Sequence, residues 1–254
     1  MVDIWDITIP EFTGDETRKL YIYLPRSYDS AQDKRYPVLY MFDGQNVFFD
    51  SEATYGKSWG LKDYLDFNDV DMIVVAPACN QNPDNGRLRE YSPFTFKDPD
   101  FGTIKGFGKE TMEWIINELK PEIDKDFRTL ADREHTFIAG SSMGGLMSLY
   151  AITEYNHIFS RAGIFSPSIW TGVNKVAKMI KNADMASDTV IYMDYGSEEF
   201  GNHKHMLQKF AMISSVLMKK KVLLNTRVVP NGTHSEASWE RQVPFFMNTL
   251  FYNL

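Results

Sequence analysis

Hydrophobic and polar positions alternate at the start of the chain. Ile4, Asp6 and Thr8 stand against Trp5, Ile7 and Ile9, and Arg18 to Leu24 alternates again. A period of two predicts strands with one covered face, and Gly14-Asp15 between them predicts an antiparallel hairpin. The runs that follow have no polar face. Val38-Leu39-Tyr40-Met41-Phe42, Met72 to Ala76 and Ala162 to Phe165 are apolar throughout. Such runs suit central strands of a sheet covered on both sides. Phe137 onward, Thr189 to Tyr195 and Leu223 to Val229 predict further strands.

Between these runs the period lengthens. Lys109 to Asp126 carries Met112, Ile115, Ile116, Leu119 and Ile123 on one helical face, with Pro121 inside it, which should kink or divide the helix. A second helix follows the strand at Phe137 and ends near Tyr155-Asn156. His203 to Lys220 places Met206, Phe210, Ile213 and Leu217 on one face, and Lys219-Lys220 suit the negative end of its dipole. A terminal helix is expected from Glu236 to about Phe251. A hairpin followed by alternating strands and helices predicts an α/β fold: a mostly parallel central sheet with an antiparallel N-terminal hairpin and helices on both faces.

One long stretch, roughly Asn80 to Gly108, interrupts this order. It is rich in Asn, Gly and Pro and carries Tyr91, Phe94, Phe96 and Phe101. Loops of this length are uncommon unless functional or disordered, and aromatics argue against disorder. We expect one domain over 1–254 with a flap-like insertion around 80–108, packed beside the active site. A surface loop with its own small core is the alternative. Arg87 and Glu90 could pair to pin it, or be solvated charges.

The strand at Phe137 runs into Gly140-Ser141-Ser142-Met143-Gly144-Gly145. Gly140, Ser142 and Gly144 fit G-x-S-x-G, in which a strand turns sharply into a helix with the central serine at its tip. Only small side chains fit two residues to either side, which favours Ser142 over Ser141 as a nucleophile. A serine hydroxyl needs a base, and the base needs an orienting acid. With this elbow their chain order is serine, acid, histidine. Of the five histidines, His135 and His157 lie at the wrong ends of their elements. His203 and His205 open a helix and could in principle reach the site, but His234 follows the last strand at the correct edge and is the expected base. The loop after Tyr195 offers Glu199, three residues past Gly196, as the acid, with Glu198 of the same loop and Asp194, still on the strand, as alternatives. Asp43-Gly44-Gln45-Asn46 ends the first buried strand at the same edge, where ligands of open α/β sheets collect. The N–H groups of Gln45 and Met143 are the expected oxyanion donors, and a plain Asp-Gly turn is the alternative. Trp170, after the strand at Ala162, and Tyr91 are the candidate substrate contacts. Trp170 fits a core aromatic equally well.

Composition narrows the class. A formal net charge of -7 disfavours a nucleic-acid partner and an anionic membrane surface. The single cysteine, Cys79, allows no internal disulfide. Met1 to Asp6 lacks a signal-peptide pattern and no apolar stretch is long enough to span a bilayer, so a cytoplasmic location is the default expectation. His203-x-His205 has no accompanying zinc-type cluster, so neither a metal nor a cofactor is expected.

Several motifs together resemble the bacterial putative-esterase family, which is related to esterase D, feruloyl and acetyl xylan esterases and enterochelin-type esterases. They are Tyr36-Pro37-Val38-Leu39-Tyr40-Met41, Asp43-Gly44-Gln45-Asn46, Glu90-Tyr91-Ser92-Pro93, Ala139 to Gly145 and His234-Ser235-Glu236-Ala237-Ser238-Trp239. The resemblance runs from about Arg18 to Trp239. It implies an α/β-hydrolase fold, Ser142 as nucleophile, His234 as base, and Glu199 where the feruloyl-esterase branch usually has aspartate. Asp43 stands where many relatives have histidine. Some enterochelin-type relatives work with serine and histidine alone. The expected activity is hydrolysis of small acyl or aryl esters through an acyl-enzyme, with a small-molecule ester as partner and homo-oligomerisation left open. An acyltransferase on the same scaffold and a non-catalytic binding protein are the alternatives.

Overall fold

The structure, a computed structural model, describes residues 1–254. Strand β1 (Val2–Thr8) pairs antiparallel with β2 (Thr17–Tyr23), from Val2 opposite Tyr23 to Thr8 opposite Thr17. The expected hairpin therefore forms, but its connection contains a short helix, α1 (Pro10–Thr13), before Gly14 turns the chain. Next come β3 (Val38–Met41), α2 (Leu61–Phe67) and β4 (Ile73–Pro77). Segment 80–108 carries α3 (Gly86–Glu90) and a small hairpin, β5 (Phe96–Asp98) with β6 (Gly102–Ile104). The remainder alternates. It runs α4 (Gly108–Trp114), α5 (Lys120–Asp126), β7 (Thr136–Ser141), α6 (Met143–Glu154), β8 (Arg161–Phe165), α7 (Val173–Asn182), β9 (Val190–Gly196), α8 (Met206–Met218), β10 (Leu223–Val229), α9 (Glu236–Glu240) and α10 (Val243–Leu250).

Eight strands form one sheet in the order β1-β2-β4-β3-β7-β8-β9-β10. Only the pairings of β2, with β1 and β4, are antiparallel; all the others are parallel. The apolar runs now have their cause. Val38 and Tyr40 of β3 join the core on one face, and Leu39 and Met41 join the core on the other. Successive side chains of a strand point to opposite faces, so a strand with both faces covered can carry no polar side. Helices α4 to α8 cover the first face, through residues such as Met112, Ile123, Leu149, Ile180 and Ile213. Helices α2, α9 and α10 cover the second, through Leu61, Leu65, Trp239, Val243 and Phe246. No helix is long and apolar enough to cross a membrane.

Three helical expectations are corrected. Pro121 neither breaks nor ends its helix. A π turn, Ile115–Leu119, joins α4 to α5, and Lys120 N–H donates to Ile115 O. A proline ring clashes with the carbonyl four residues back, and widening that turn makes room for it. The predicted terminal helix is two helices, because Pro244 sits in the first turn of α10, where the missing N–H has no cost. His203 precedes α8, which starts at Met206 with His205 as its left-handed cap residue. Helices α2 and α7 are additions to the expected order.

Val243, Phe246, Met247 and Leu250 fasten the last helix to the sheet, with the Phe246 ring at the centre of the contact. Phe246 is 1% exposed, and its centroid lies 5.3 Å from Phe165 and 5.9 Å from Tyr192. A Cβ at Gly163 would lie 2.4 Å from the same ring. Arg161 Nη1 closes the C-terminal end by donating to Leu250 O at 2.7 Å and Tyr252 O at 2.8 Å. Phe246→Ala should therefore lower the unfolding free energy by about 3–5 kcal/mol in a urea titration. A loss under about 1 kcal/mol would mean that α10 is not anchored by this ring.

Candidate active site

Ser142 stands between β7 and α6 with φ 58° and ψ −118°. This left-handed φ is costly for a residue with a Cβ and persists only where the surroundings impose it. The surroundings are tight. A Cβ at Gly140 would lie 2.8 Å from the carbonyl carbon of Gly144, and one at Gly144 would lie 2.9 Å from Phe42 Cβ. The elbow is also tied to the neighbouring strand: Ser142 N–H donates to Phe165 O at 2.9 Å, and Ser168 N–H to Ser142 O at 3.0 Å.

Three side chains meet at this rim of the sheet. Ser142 Oγ lies 2.9 Å from His234 Nε2, and His234 Nδ1 lies 2.5 Å from Glu199 Oε2. A carboxylate only accepts, so Nδ1 carries the proton and Nε2 is free to accept from the serine. Glu199 is 1% exposed. Its other oxygen accepts from Ser166 Oγ at 2.7 Å and from Gly196 N–H at 3.0 Å, while Trp239 Nε1 donates to Ser166 Oγ at 3.0 Å. The acid loop and the histidine loop are zipped together. Glu198 N–H donates to Gly232 O at 3.1 Å, Asn231 N–H to Ser197 Oγ at 2.9 Å, and a Cβ at Gly196 would collide with Gly232 O at 2.2 Å.

The other two acids face elsewhere. Asp194 accepts from Tyr192 OH at 2.8 Å and from Ser166 N–H at 3.3 Å, and burial pushes its carboxyl up to about 7. The Glu198 side chain is exposed, and its carboxylate accepts only from Ser197 Oγ. Among the remaining histidines, His135 bonds to Asp132 at the far end of β7, and His203 stacks on Trp170 with centroids 4.3 Å apart. Burial lowers the pKa of His203 below the usual imidazole value, with a smaller contribution from Lys209.

The turn after β3 is held by every one of its side chains. Asp43 has φ 61° and accepts from Arg87 Nε at 2.6 Å and Nη2 at 2.7 Å. Gly44 packs so closely that a Cβ would fall 2.0 Å from Ala76 O. Gln45 exchanges contacts with Cys79 at the end of β4: its Oε1 accepts from Cys79 N–H at 3.2 Å and its Nε2 lies 3.3 Å from Sγ. Asn46 Nδ2 donates to Glu236 Oε1 at 3.3 Å, reaching the histidine loop. Burial raises the Glu236 carboxyl above its ordinary value. Gln45 lies in a single helical turn and Met143 opens α6. First-turn N–H groups have no partner within their own helix, so both can face an anion.

Segment 80–108 differs from expectation in two respects. Arg87 and Glu90 do not pair with each other. Arg87 takes Asp43, and Glu90 takes Arg18 of β2 at 2.8 Å in a pair that is almost fully buried. Tyr91, a candidate substrate contact, is turned inward rather than towards the cavity. It is 1% exposed, packs edge-on against Phe42 at 5.0 Å, and its hydroxyl accepts weakly from Asp43 N–H at 3.4 Å. Trp170 lines a groove of about 160 Å³ together with Ser142, Met143, His203 and His234. On the other side of Ser142 lies a larger cavity of about 630 Å³, rich in amides: Gln45, Asn46, Asn80, Gln81, Asn82 and Asn85. Sequence reasoning misses Ser166 and Trp239, which support Glu199. A signal for them exists in the polar Ser166-Pro167-Ser168 break after a buried strand and in a tryptophan five residues past His234.

Comparison with known proteins bears on the fold and the class of reaction. The Bacillus subtilis protein "Uncharacterized protein YbbA" is 28% identical over 214 residues, 80% of this chain and 79% of that protein. An endo-1,4-beta-xylanase/feruloyl esterase of Xylanibacter ruminicola is 31% identical over 163 residues, 61% of this chain. The match covers only 20% of that longer protein. A solved ferulic acid esterase shares the fold, with a TM-score of 0.71 over 99% of this chain and 97% of its own at 20% identity. The mostly parallel sheet expected from the element order, and the α/β-hydrolase fold implied by the family resemblance, are thus the observed ones. The esterase family described as "Putative esterase" matches residues 13–247, and the chain belongs to that family.

Proposed function

We propose that this esterase works through Ser142 as nucleophile, His234 as general base and then acid, and Glu199 as the orienting acid. The observation that carries the reading is the unbroken hydrogen-bond chain from Ser142 Oγ through His234 to the buried Glu199 carboxylate. His234 takes the serine proton as Oγ attacks the ester carbonyl. Glu199 keeps the Nδ1 tautomer in place and stabilises the imidazolium that forms. The Gln45 and Met143 N–H groups receive the oxyanion. His234 then protonates the departing alcohol. The histidine side chain is 37% exposed, so water can reach it to attack the acyl-enzyme, which favours hydrolysis over transfer to an acceptor alcohol.

The two grooves suggest an ester with unequal halves. The amide-rich cavity suits a polar alcohol portion, and the smaller groove against Trp170 and Met143 suits a compact acyl or aryl group. Feruloyl esterases among its relatives support the small acyl or aryl class.

Ser142→Ala and His234→Ala should each abolish hydrolysis of p-nitrophenyl acetate while the melting temperature stays near wild type. Wild-type turnover in Ser142→Ala would remove the assignment. Glu199→Gln keeps the shape of the side chain but loses the charge that holds the imidazolium. Its kcat should fall on the order of 10²- to 10⁴-fold. A fall of equal size in Asp194→Asn with none in Glu199→Gln would exchange their roles.

A further inference from the structure

The turn that carries the Gln45 N–H is bolted by an ion pair that reaches across from segment 80–108. Asp43 opens the turn with a left-handed backbone and is 3% exposed. Its carboxylate has one cationic partner, the Arg87 guanidinium, and the two share a fork-to-fork pair of bonds at 2.6 and 2.7 Å. Arg87 lies in the first turn of α3, and the far end of that helix is fixed to β2 by the buried Arg18–Glu90 pair. Asp43 also stands against the elbow: its Oδ2 would lie 3.2 Å from a Cβ at Gly144, in the first turn of α6. One carboxylate thus touches both elements that offer oxyanion N–H groups. Arg87 and Asp43 line the same cavity as Ser142 and His234.

We propose that Arg87 is a positioning residue for the oxyanion turn. This rests on the reading of Ser142 as nucleophile. Arg87 acts in two ways. Its planar fork fixes the orientation of the Asp43 carboxylate, and through it the direction of the Gln45 N–H two residues on. It also neutralises a buried negative charge that would otherwise oppose the negative charge developing on the ester oxygen. Arg87 itself exchanges no proton and forms no bond to substrate.

The test compares Arg87→Met, Arg87→Lys, Asp43→Asn and the Arg87→Met/Asp43→Asn double variant, with Ser142→Ala as control, all on p-nitrophenyl acetate. Arg87→Met should lose about 10²-fold in kcat with KM little changed, because a small misplacement of the donor is felt in the transition state. Arg87→Lys should stay well below wild type, since an ammonium cannot make the paired bonds. The double variant should recover about tenfold over Arg87→Met, because the neutral amide removes the unpaired charge. Affinity for an oxyanion-forming trifluoromethyl ketone should follow kcat across the series. A merely structural arginine would give a lower melting temperature, a double variant no faster than Arg87→Met, and unchanged ketone affinity in the folded fraction. Wild-type kcat in Arg87→Met, or a double variant as slow as the single, overturns the proposal. If Arg87→Met does not fold, Arg87→Lys takes its place: reduced kcat and ketone affinity in a folded Arg87→Lys support the role, and wild-type values for both overturn it. Active Ser142→Ala would overturn the underlying mechanism as well, whereas inactive Ser142→Ala beside fully active Arg87→Met would overturn only the role of Arg87.

Discussion

A carboxylate almost fully removed from water must find donors, and this requirement organises the rim of the sheet. Taking an ion out of water costs several kcal/mol unless its lone pairs are satisfied. Glu199 is satisfied by His234 Nδ1, Ser166 Oγ and Gly196 N–H. These donors come from three places: after β10, after β8 and at the end of β9. Trp239 of α9 then holds Ser166. Satisfying one buried charge therefore fixes the separation of three strand ends and one helix. The imidazole is aimed at Ser142 from behind, by Glu199, Ser166 and Gly196, none of which lines the cavity.

The elbow was legible because its constraint is local. Close approach two residues either side of Ser142 requires glycine at 140 and 144, and that requirement is written in consecutive letters. The covered strands were legible for a similar reason, since a strand with no solvent face leaves no polar position. His234 followed from chain order and from the edge at which its strand ends. Glu199 is harder, because Glu198 shares its turn and Asp194 lies on the strand just before it, and only the direction of each side chain separates them. The less legible features are those in which distant segments meet. Nothing in Asp43 or Arg87 alone says that they pair, 44 positions apart. Aromatic content announced that segment 80–108 is packed, but not that Tyr91 is the ring turned inward. Helix α7 did carry a readable period in Val176, Ala177 and Ile180, whereas α2 buries only Leu61 and Leu65 and offers little pattern.

The two-faced burial of the sheet explains why the chemistry lies at its rim. Both faces are occupied by apolar side chains, so a polar cluster has no place there without stranding donors and acceptors. At the C-terminal ends of β3, β7, β8, β9 and β10 the chain must leave the sheet and turn. Turns supply backbone N–H groups, left-handed positions and polar side chains together. Asp43, Ser142 and Ser166 all have positive φ at such exits. Each lies where a parallel strand gives way to the next segment, so backbone strain gathers at the same rim as the Ser142–His234–Glu199 chain.

Segment 80–108 belongs to this rim as a wall rather than a moving lid. A lid must open at modest cost. The Arg18–Glu90 pair, with side chains 5% and 4% exposed, ties α3 to the sheet. Opening the segment would break a buried charged pair and the packing of α3 around it rather than a solvated surface contact. The Asp43–Arg87 pair adds a second tie, worth less because the arginine side chain is 31% exposed. A closing lid would also have to carry Asp43 with it and would pull on the turn that presents Gln45. The oxyanion role proposed for this turn asks for such rigid attachment, since donors help only when already in place as charge develops. Access to Ser142 is then through the open mouth of the amide-lined cavity, with α3 as one of its fixed sides.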